Sequence, residues 1–313
     1  TVYPLNDTFF PTIDPNNPYE LTEDERAVMN SLSASIINSE RLQTHIRYMF
    51  SHGALYKRIN GNLLFHGCIP MDENGDFLPV DIYGAKCAGR ALMDHLDKQI
   101  RASYFSPEKI KKYGKAGDLM WYLWLAKDSP LFGKEKMTTF ERLFIDDKAS
   151  HKEHVRPYYK LINSKEPCEK ILREFGLDPS HSKILNGHVP VKIKNGESPI
   201  KGGGLLYVID GGISKAYQKQ TGIAGYTFIF NSRFMALAEH KPYEPLKEDG
   251  TQKFFSPSMK TVDTLKTRML VIDTDEGAEL LRQAEAVKRL VEAYKTGEIK
   301  ERPEGKYSAY KGK

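Results

Sequence analysis

The chain has 313 residues, of which 40% are hydrophobic and 28% are charged. This length and composition predict a folded protein with one large domain or two smaller ones. Lysine and arginine total 46 against 41 acidic residues, and the net charge of +5 is spread along the whole chain. A nucleic-acid-binding protein would need a concentrated basic face, so nucleic acid is excluded as the expected partner, whereas a small anionic substrate is compatible with this charge.

The sequence also indicates the cellular compartment. Cys68, Cys87 and Cys168 are widely spaced and form no C-x-x-C motif, which argues against a disulfide framework and against a structural zinc site. No apolar stretch approaches the roughly 20 residues that span a bilayer. The amino terminus begins without methionine and shows no apolar leader. We therefore expect a cytoplasmic protein with no membrane partner.

The first predicted elements are two helices and a hairpin. Thr22 and Glu25 form a capping box that opens a helix through about residue 37, and Ser39 caps a second helix that stops at Gly53. Asn60-Gly61 lies between the apolar runs 54–59 and 62–65, which is the strongest short signal for a β-hairpin. His66 therefore leaves the second strand of this hairpin.

The remaining elements are predicted in chain order. Helices are expected over about 89–104, 118–126 and 166–175, and Trp121 and Trp124 of the second one are expected to pack in the core. A strand is expected just before His188, and further strands at 189–193, 205–210 and 225–230, with a plain turn at 201–204. Asp273 and Glu276 predict the start of a last helix, followed by a polar tail.

Two histidines are the leading candidates for a functional site. His66 and His188 each follow an apolar run and precede turn residues, which puts an imidazole at the open end of a buried strand. A metal ion could be held there against a rigid sheet while one side stays open to a substrate. A single histidine in such a place is usually a hydrogen-bonded loop residue. Two histidines in matching contexts favour a functional role over that ordinary one.

Longer motifs carry a family resemblance. The stretch His66-Gly67-Cys68-Ile69-Pro70 resembles the H-G-x-x-P element, and residues 186–190 resemble the N-G-H-x-P element, of calcineurin-like metallophosphoesterases. Residues 121–124, 132–142 and 208–226 resemble the class III fructose-1,6-bisphosphatases of bacteria, so that the similarity covers nearly the whole chain. The resemblance implies hydrolysis of the 1-phosphate of fructose 1,6-bisphosphate, a gluconeogenic step, at a dinuclear site of the manganese type.

The chain departs from this family in one respect. The family carries metal motifs of the types G-D-x-H, G-D-x-x-D and G-N-H-[DE] before its H-G-x-x-P element, and the chain contains none of them. The resemblance therefore implies a mixed α/β (α+β) chain that supplies the carboxy-terminal part of a layered αββα calcineurin-like fold, without the amino-terminal half. Within it, residues 1–53 would be a helical segment, 54–240 the sheet and metal-histidine region, and 241–313 an extension with a helix and a polar tail.

The same resemblance assigns roles to the two histidines. His66 and His188 would bind one metal ion, and the ligands of the second ion would lie outside the chain. The bridging aspartate, the asparagine ligand and the acid that protonates the leaving group would be absent as well. The catalytic residues therefore remain unknown, and we expect the isolated chain to be inactive.

Candidate phosphate ligands lie between the two histidine elements. Lys134, Lys136 and Arg142 occupy the region where related phosphoesterases carry a phosphate-contacting arginine. Arg142 is favoured because a guanidinium group matches two phosphate oxygens at once. A solvated Glu141–Arg142 pair on a helix is an equally open interpretation.

A second set of candidates follows the apolar run that ends at residue 209. Asp210, Gly211, Lys215 and Tyr217 come directly after it. The glycine permits close approach of the backbone to a ligand, although a tight strand exit explains it equally well. His151 and His154 are interpreted instead as a solvent-exposed pair, since no apolar pattern frames them.

Two other functions remain open. One is a different dinuclear-metal phosphoesterase, and the other is a non-catalytic fragment that folds by pairing with the missing half. The expected partners are a sugar bisphosphate and that missing half, and a homo-oligomer is also compatible with the sequence.

Overall fold

The computed structural model describes residues 2–107, 115–212, 214–223, 225–241, 249–250 and 257–300. The chain is a mixed α/β protein with mixed sheets. It divides into two compact units, Thr1–Thr227 with Glu239–Pro257 and Phe228–Ala238 with Ser258–Lys313. Among the described residues, no helix combines the length and the apolar character that crossing a bilayer requires.

The first unit begins with two helices that are set by their caps. Helix α1 spans Glu23–Ile37, and the Thr22 and Glu25 side chains each accept a hydrogen bond from the backbone N–H of the other, as predicted. Helix α2 spans Glu40–His52 and begins at Ser39, whose hydroxyl accepts from the Leu42 N–H. These contacts satisfy N–H groups that have no partner inside a helix.

The predicted hairpin follows. Strand β1 spans Tyr56–Ile59 and pairs antiparallel with β2, which spans Asn62–Phe65. Both turn residues have positive φ, 47° at Asn60 and 75° at Gly61. Such a turn matches the right-handed twist of the two strands, which is why Asn-Gly selects it.

The hairpin opens a five-stranded sheet with the order β1-β2-β5-β7-β6. The additional strands are β5 at Ile184–Asn186, β6 at Ile200–Lys201 and β7 at Leu206–Val208. Strands β2, β5 and β7 are parallel neighbours, whereas β6 runs antiparallel to β7. The carboxyl ends of β2, β5 and β7 therefore meet at one edge of the sheet.

One face of this sheet forms the core. Leu63, Ile184 and Leu206 are register partners and are fully buried. Helices α3 at Gly89–Phe105 and α7 at Lys165–Glu174 contribute buried side chains to the core of this unit. Those side chains recur at helical spacing and are Leu92, Met93, Leu96, Cys168, Ile171 and Leu172.

Smaller elements complete the first unit. A two-stranded sheet joins β3 at Val80–Ile82 to β4 at Ala85–Cys87. The other helices are α4 at Lys115–Leu125, α5 at Thr139–Phe144, α6 at Tyr158–Leu161 and α8 at Lys215–Thr221. The three cysteines are all free thiols.

The second unit holds most of a three-stranded sheet and a long helix. The sheet has the order β10-β9-β8, from β8 at Gly225–Phe230, β9 at Phe234–His240 and β10 at Ser258–Thr264. Helix α9 spans Asp275–Lys295. Its cap is Thr274, whose hydroxyl accepts from the Gly277 N–H at 3.1 Å, so the predicted cap at Asp273 was wrong by one residue.

The predicted burial of the tryptophan pair was also wrong. Trp121 and Trp124 are 65% and 66% exposed. Helix α4 buries Leu119 and Leu123, which lie one turn apart, and the two indoles project from its other faces. An apolar composition identified the helix but not the side on which it packs.

The predicted strand at 189–193 was wrong for a local reason. His188 has a φ of 68°, so the chain turns sharply where β5 ends, and Pro190 lacks the N–H that a ladder needs. A short 3-10 turn at Ile193–Asn195 follows instead. Strand β6 overlaps the predicted turn at 201–204 by one residue, and β3, β4, β9, β10, α6 and α8 were not predicted.

Two glycines give a test of this fold. A Cβ at Gly61 would meet no atom within 4 Å. Gly61→Ala should therefore lower the free energy of unfolding by about 1 kcal/mol, because alanine disfavours a positive φ. A Cβ at Gly67 would lie 2.2 Å from the Pro130 carbonyl oxygen. A backbone atom cannot move aside cheaply, so Gly67→Ala should cost about 3 kcal/mol. Urea denaturation measures both values, and equal stabilities of the two variants would contradict the close approach at Gly67.

Candidate functional site

The two candidate histidines meet at the edge where the parallel strands end. His66 directly follows β2, and His188 lies two residues beyond the end of β5. The Nε2 atom of His66 is 3.2 Å from the Nδ1 atom of His188, and the rings are inclined at 75°. The structure thus brings together two side chains that are 122 residues apart in the sequence.

The backbone at His188 is in an uncommon conformation. Its φ of 68° lies in the left-handed region, and the Val189 N–H donates to the Gly187 carbonyl at 2.8 Å. This is a γ-turn with a positive central φ, a strained arrangement for a residue with a Cβ. The Gly187 N–H donates to the His66 carbonyl at 2.9 Å, which links this turn to the exit of β2.

The hydrogen bonds of His188 define its tautomer. Its Nε2 atom lies 2.8 Å from the Phe132 carbonyl oxygen, which can only accept, so Nε2 carries the hydrogen. The Nδ1 lone pair therefore faces His66. Burial lowers the pKa of His188 below 6.5, and the charges of His66 and Lys134 add to this, while the bond to Phe132 opposes it. A neutral ring with a bare nitrogen is the form that binds a metal ion.

The histidine pair has the geometry of two ligands of one ion but does not complete a metal site. A separation of 3.2 Å between the two nitrogens suits an ion about 2.0 to 2.1 Å from each. The Phe132 carbonyl fixes the ring of His188 as an outer-shell partner does. Within the described ranges, however, no group of three or more histidine, cysteine, aspartate or glutamate side chains could hold an ion. Further ligands would have to come from elsewhere.

His188 also lines a cavity of about 950 Å³ that gathers most of the candidate substrate ligands. Lys134, Arg142, Asp210 and Tyr217 all line it, together with Glu153, Lys192 and Gln220, which were not proposed as ligands from the sequence. Lys136 and Gly211 are not among its lining residues. Lys215 begins helix α8, and its side chain lies outside the described part of the structure.

The cationic side chains of this cavity differ in the hydrogen bonds and ion pairs that they make with the protein. Lys134 Nζ contacts a Glu153 carboxylate oxygen at 2.8 Å. The Arg142 guanidinium donates to the Thr138 hydroxyl at 3.0 Å and to the His151 carbonyl at 3.1 Å, with its side chain still 55% exposed. Among the described residues, the Lys192 ammonium makes no hydrogen bond or ion pair. No sequence pattern distinguished Lys192 from the other exposed lysines.

The Glu153 carboxylate binds two neighbouring residues, Thr138 and Lys134. Burial acts to raise the pKa of Glu153, but hydrogen bonds from Lys134 and Thr138 outweigh it and lower the pKa to about 2. The Thr138 N–H and hydroxyl donate to one carboxylate oxygen at 3.1 and 2.9 Å, while Lys134 binds the other. No local pattern in the sequence identifies Glu153, because its partners precede it by 15 and 19 residues.

The remaining candidates have structural partners. Lys136 donates to the Ser150 carbonyl at 3.2 Å. A Cβ at Gly211 would lie 2.7 Å from the Gly225 Cα, so its small size is needed for packing of the protein on itself. His151 was expected to be exposed, and this was wrong: it is half-buried, with Nε2 2.7 Å from the Ile145 carbonyl oxygen.

Comparison with known proteins gives the relationship of the chain. The family model described as Firmicute fructose-1,6-bisphosphatase matches residues 1–296. The chain belongs to this family. This confirms the resemblance inferred from the sequence motifs. No solved structure matches the chain.

Several curated relatives are closely similar. The chain is 50% identical to the class 3 fructose-1,6-bisphosphatase of Clostridium tetani over 305 residues and to that of Clostridium acetobutylicum over 307 residues. It is 48% identical to that of Fusobacterium nucleatum subsp. nucleatum over 301 residues. These matches cover 95 to 96% of the chain but only 45 to 46% of each relative. The chain therefore spans about half the length of the curated relatives that it matches.

The environment of His188 predicts an acid-shifted titration. Because the fold favours the neutral ring, the stability that it contributes is present above the unfolded-state pKa of about 6.5 and decreases as the pH falls below that value. In imidazole NMR spectra, His188 should titrate with a midpoint below 6.5 and return to about 6.5 in urea. Lys134→Met should raise the folded midpoint because it removes a neighbouring positive charge. A folded midpoint above 6.5 would contradict this assignment.

The Glu153 network predicts an acid-labile contribution to stability. Its carboxylate stabilises the fold fully above about pH 4.5, and this contribution is lost as the pH falls from there towards the folded pKa of about 2. Glu153→Gln should cost about 1 to 2 kcal/mol at pH 7 and much less at pH 3. Denaturation at both pH values measures this, with Glu73→Gln at an exposed position as the control. An equal loss for Glu153→Gln at both pH values would contradict the network.

Proposed function

We propose that this chain is the carboxy-terminal part of a class 3 fructose-1,6-bisphosphatase, which hydrolyses fructose 1,6-bisphosphate to fructose 6-phosphate and phosphate in gluconeogenesis. The observation that carries the proposal is the position of His188, which contacts His66 and lines the cationic cavity. A metal-ligand pair and phosphate-binding cations would thus act on one substrate. The curated relatives with 48 to 50% identity bear the name of this enzyme.

The chain would supply both metal ligands and phosphate-binding cations. His66 and His188 would hold one divalent ion, which we propose to be manganese, with the remaining ligands supplied by the rest of the protein. Bound at such a dinuclear site, the ions would activate water and polarise the phosphoryl group. The guanidinium of Arg142 would orient a phosphate group from the cavity wall, with Lys134 as a second positive charge.

Further candidate ligands remain proposals of lower weight. Asp210 would accept hydrogen bonds from sugar hydroxyls, and Tyr217 would contact the sugar or its phosphates, since both line the same cavity. Lys136, Gly211 and Lys215 were inferred from the sequence alone, and no contact of the described residues adds support for them. Lys192 replaces them as the next cation to test, because it lines the cavity without a protein partner in the described ranges.

A cavity on one face of the sheet supports the proposed layering. Leu64, Leu185 and Ile209 line a cavity of about 590 Å³ on the side of the sheet opposite the core, and Ile209 is 38% exposed. Apolar surface of this kind is normally covered by another layer. We propose that the amino-terminal half of the protein supplies a second sheet there, completing an αββα calcineurin-like fold. Residues 1–53, 54–240 and 241–313 would be its helical segment, metal-histidine region and extension.

One observation favours a second candidate function. The chain matches only 45 to 46% of each curated relative, which is compatible with a non-catalytic fragment that pairs with a missing half. A different dinuclear-metal phosphoesterase is the alternative within the enzyme class. The cytoplasm remains the proposed location, and homo-oligomerisation remains open to measurement.

A chimeric enzyme tests the proposal. In it, the chain replaces the matching segment of the Clostridium tetani relative, and manganese-dependent phosphate release from fructose 1,6-bisphosphate is measured. We expect turnover by the chimera and none by the chain alone. His66→Ala and His188→Ala should each remove most of the activity, and His66→Ala/His188→Ala should cost little more, because the pair acts as a unit.

The control is His181→Ala, which removes an exposed imidazole near the opposite end of β5 and should leave the activity unchanged. A folded chimera that releases no phosphate would contradict the proposed function. Robust turnover by the chain alone, abolished by His66→Ala, would show that its metal site is complete. A preference for another phosphate ester would favour the alternative enzyme.

A further inference from the structure

A buried amide joins the two loops that carry the histidines. Asn186 is the last residue of β5 and is only 2% exposed, and Tyr158 at the start of α6 is fully buried. The Asn186 Nδ2 atom donates to the Tyr158 hydroxyl at 2.9 Å and to the Gly67 carbonyl at 3.2 Å. One side-chain amide therefore connects the exit of β5 to the exit of β2 and anchors both to α6.

The orientation of this amide follows from its partners. A carbonyl oxygen can only accept a hydrogen bond, so the atom that faces the Gly67 carbonyl must be the amide nitrogen. The Asn186 Oδ1 atom is then buried, and it has no hydrogen-bond partner within the described part of the chain. An apolar side chain of similar size would avoid the penalty of that unpaired oxygen. Packing alone therefore does not explain an asparagine here, whereas directional bonding does.

The two bonded positions are adjacent to the imidazoles. Gly67 directly follows His66, and Asn186 precedes His188 by two residues. The turn at His188 is strained and needs support from its surroundings. The β2–β5 ladder and the bond between the Gly187 N–H and the His66 carbonyl join the two strand exits through the backbone. The Asn186 amide adds a side-chain attachment one residue before Gly187.

We propose that Asn186 and Tyr158 are positioning residues, which hold His66 and His188 at the separation that allows both to bind one metal ion. This inference rests on the metal-binding role proposed above for the histidine pair. The role of Asn186 is indirect, since its amide contacts neither imidazole. Its effect is on the relative placement of the two strand exits, which decides whether the two ring nitrogens converge.

Three variants test this role. Asn186→Ala removes the amide, and Tyr158→Phe removes only the hydroxyl while keeping the buried ring. Asn186→Leu/Tyr158→Phe replaces both side-chain partners by apolar groups of similar shape, which limits the loss of stability. The matched control is Asn62→Ala. Asn62 is a buried asparagine of β2 that also bonds to backbone groups, but at the opposite end of the sheet from the histidines.

The first readout is the metal-free chain in imidazole nitrogen NMR. Loss of the contact between His66 Nε2 and His188 Nδ1 should shift both ring signals in the two Asn186 variants and to a smaller extent in Tyr158→Phe. Asn62→Ala should leave these signals in place even if it is less stable. If the histidine signals respond no more to Asn186→Ala and to the double variant than to Asn62→Ala, the proposal is overturned.

The second readout is the manganese affinity of the chimera. Loss of a group that orients a metal ligand typically weakens binding by about 10- to 100-fold, and we expect this range for Asn186→Ala. Asn62→Ala should bind manganese as the parent chimera does. A chimera that shows these shifts but hydrolyses no fructose 1,6-bisphosphate would leave the positioning role intact and reject the enzymatic function. An active chimera whose manganese affinity is unchanged by Asn186→Ala would reject the positioning role alone.

Discussion

The parallel pairing of β2 with β5 is the constraint on which the rest of the candidate site depends. Its register places Leu63 opposite Ile184, so the two strands end at the same edge and deliver His66 and His188 to one point. Side chains alternate between the faces of a sheet, so a slip of one residue would turn the core side chains towards the opposite face. The buried amide of Asn186 and the turn at His188 both presuppose this register.

Local signals in the sequence predicted the local structure well. The capping box at Thr22 and the Asn-Gly turn each involve residues within a few positions of one another, and both are present as predicted. The candidate histidines were also identified from their immediate neighbours, because an apolar run followed by turn residues is a short-range pattern. That both histidines would bind one metal ion was implied by the family resemblance, and the pairing of their strands was not predicted.

The features that the sequence did not predict depend on contacts between distant residues. The exposed indoles of α4 were assigned to the core because helical spacing identifies a packed face only when one side is polar, and this helix is apolar around much of its surface. Glu153 and Asn186 are ordinary polar residues in the sequence. They acquire their roles from partners such as Lys134 and Tyr158, which the fold brings to them.

The long separation of the paired strands has a consequence for the order of folding. The β1–β2 hairpin closes over two residues and can form within microseconds, whereas β5 must find β2 across a chain segment of more than a hundred residues, with a correspondingly larger loss of chain entropy. We therefore expect the imidazole pair to form late, after the intervening helices have condensed. A partly folded chain would then present only isolated histidines, and the contact between the two rings would report completion of the fold.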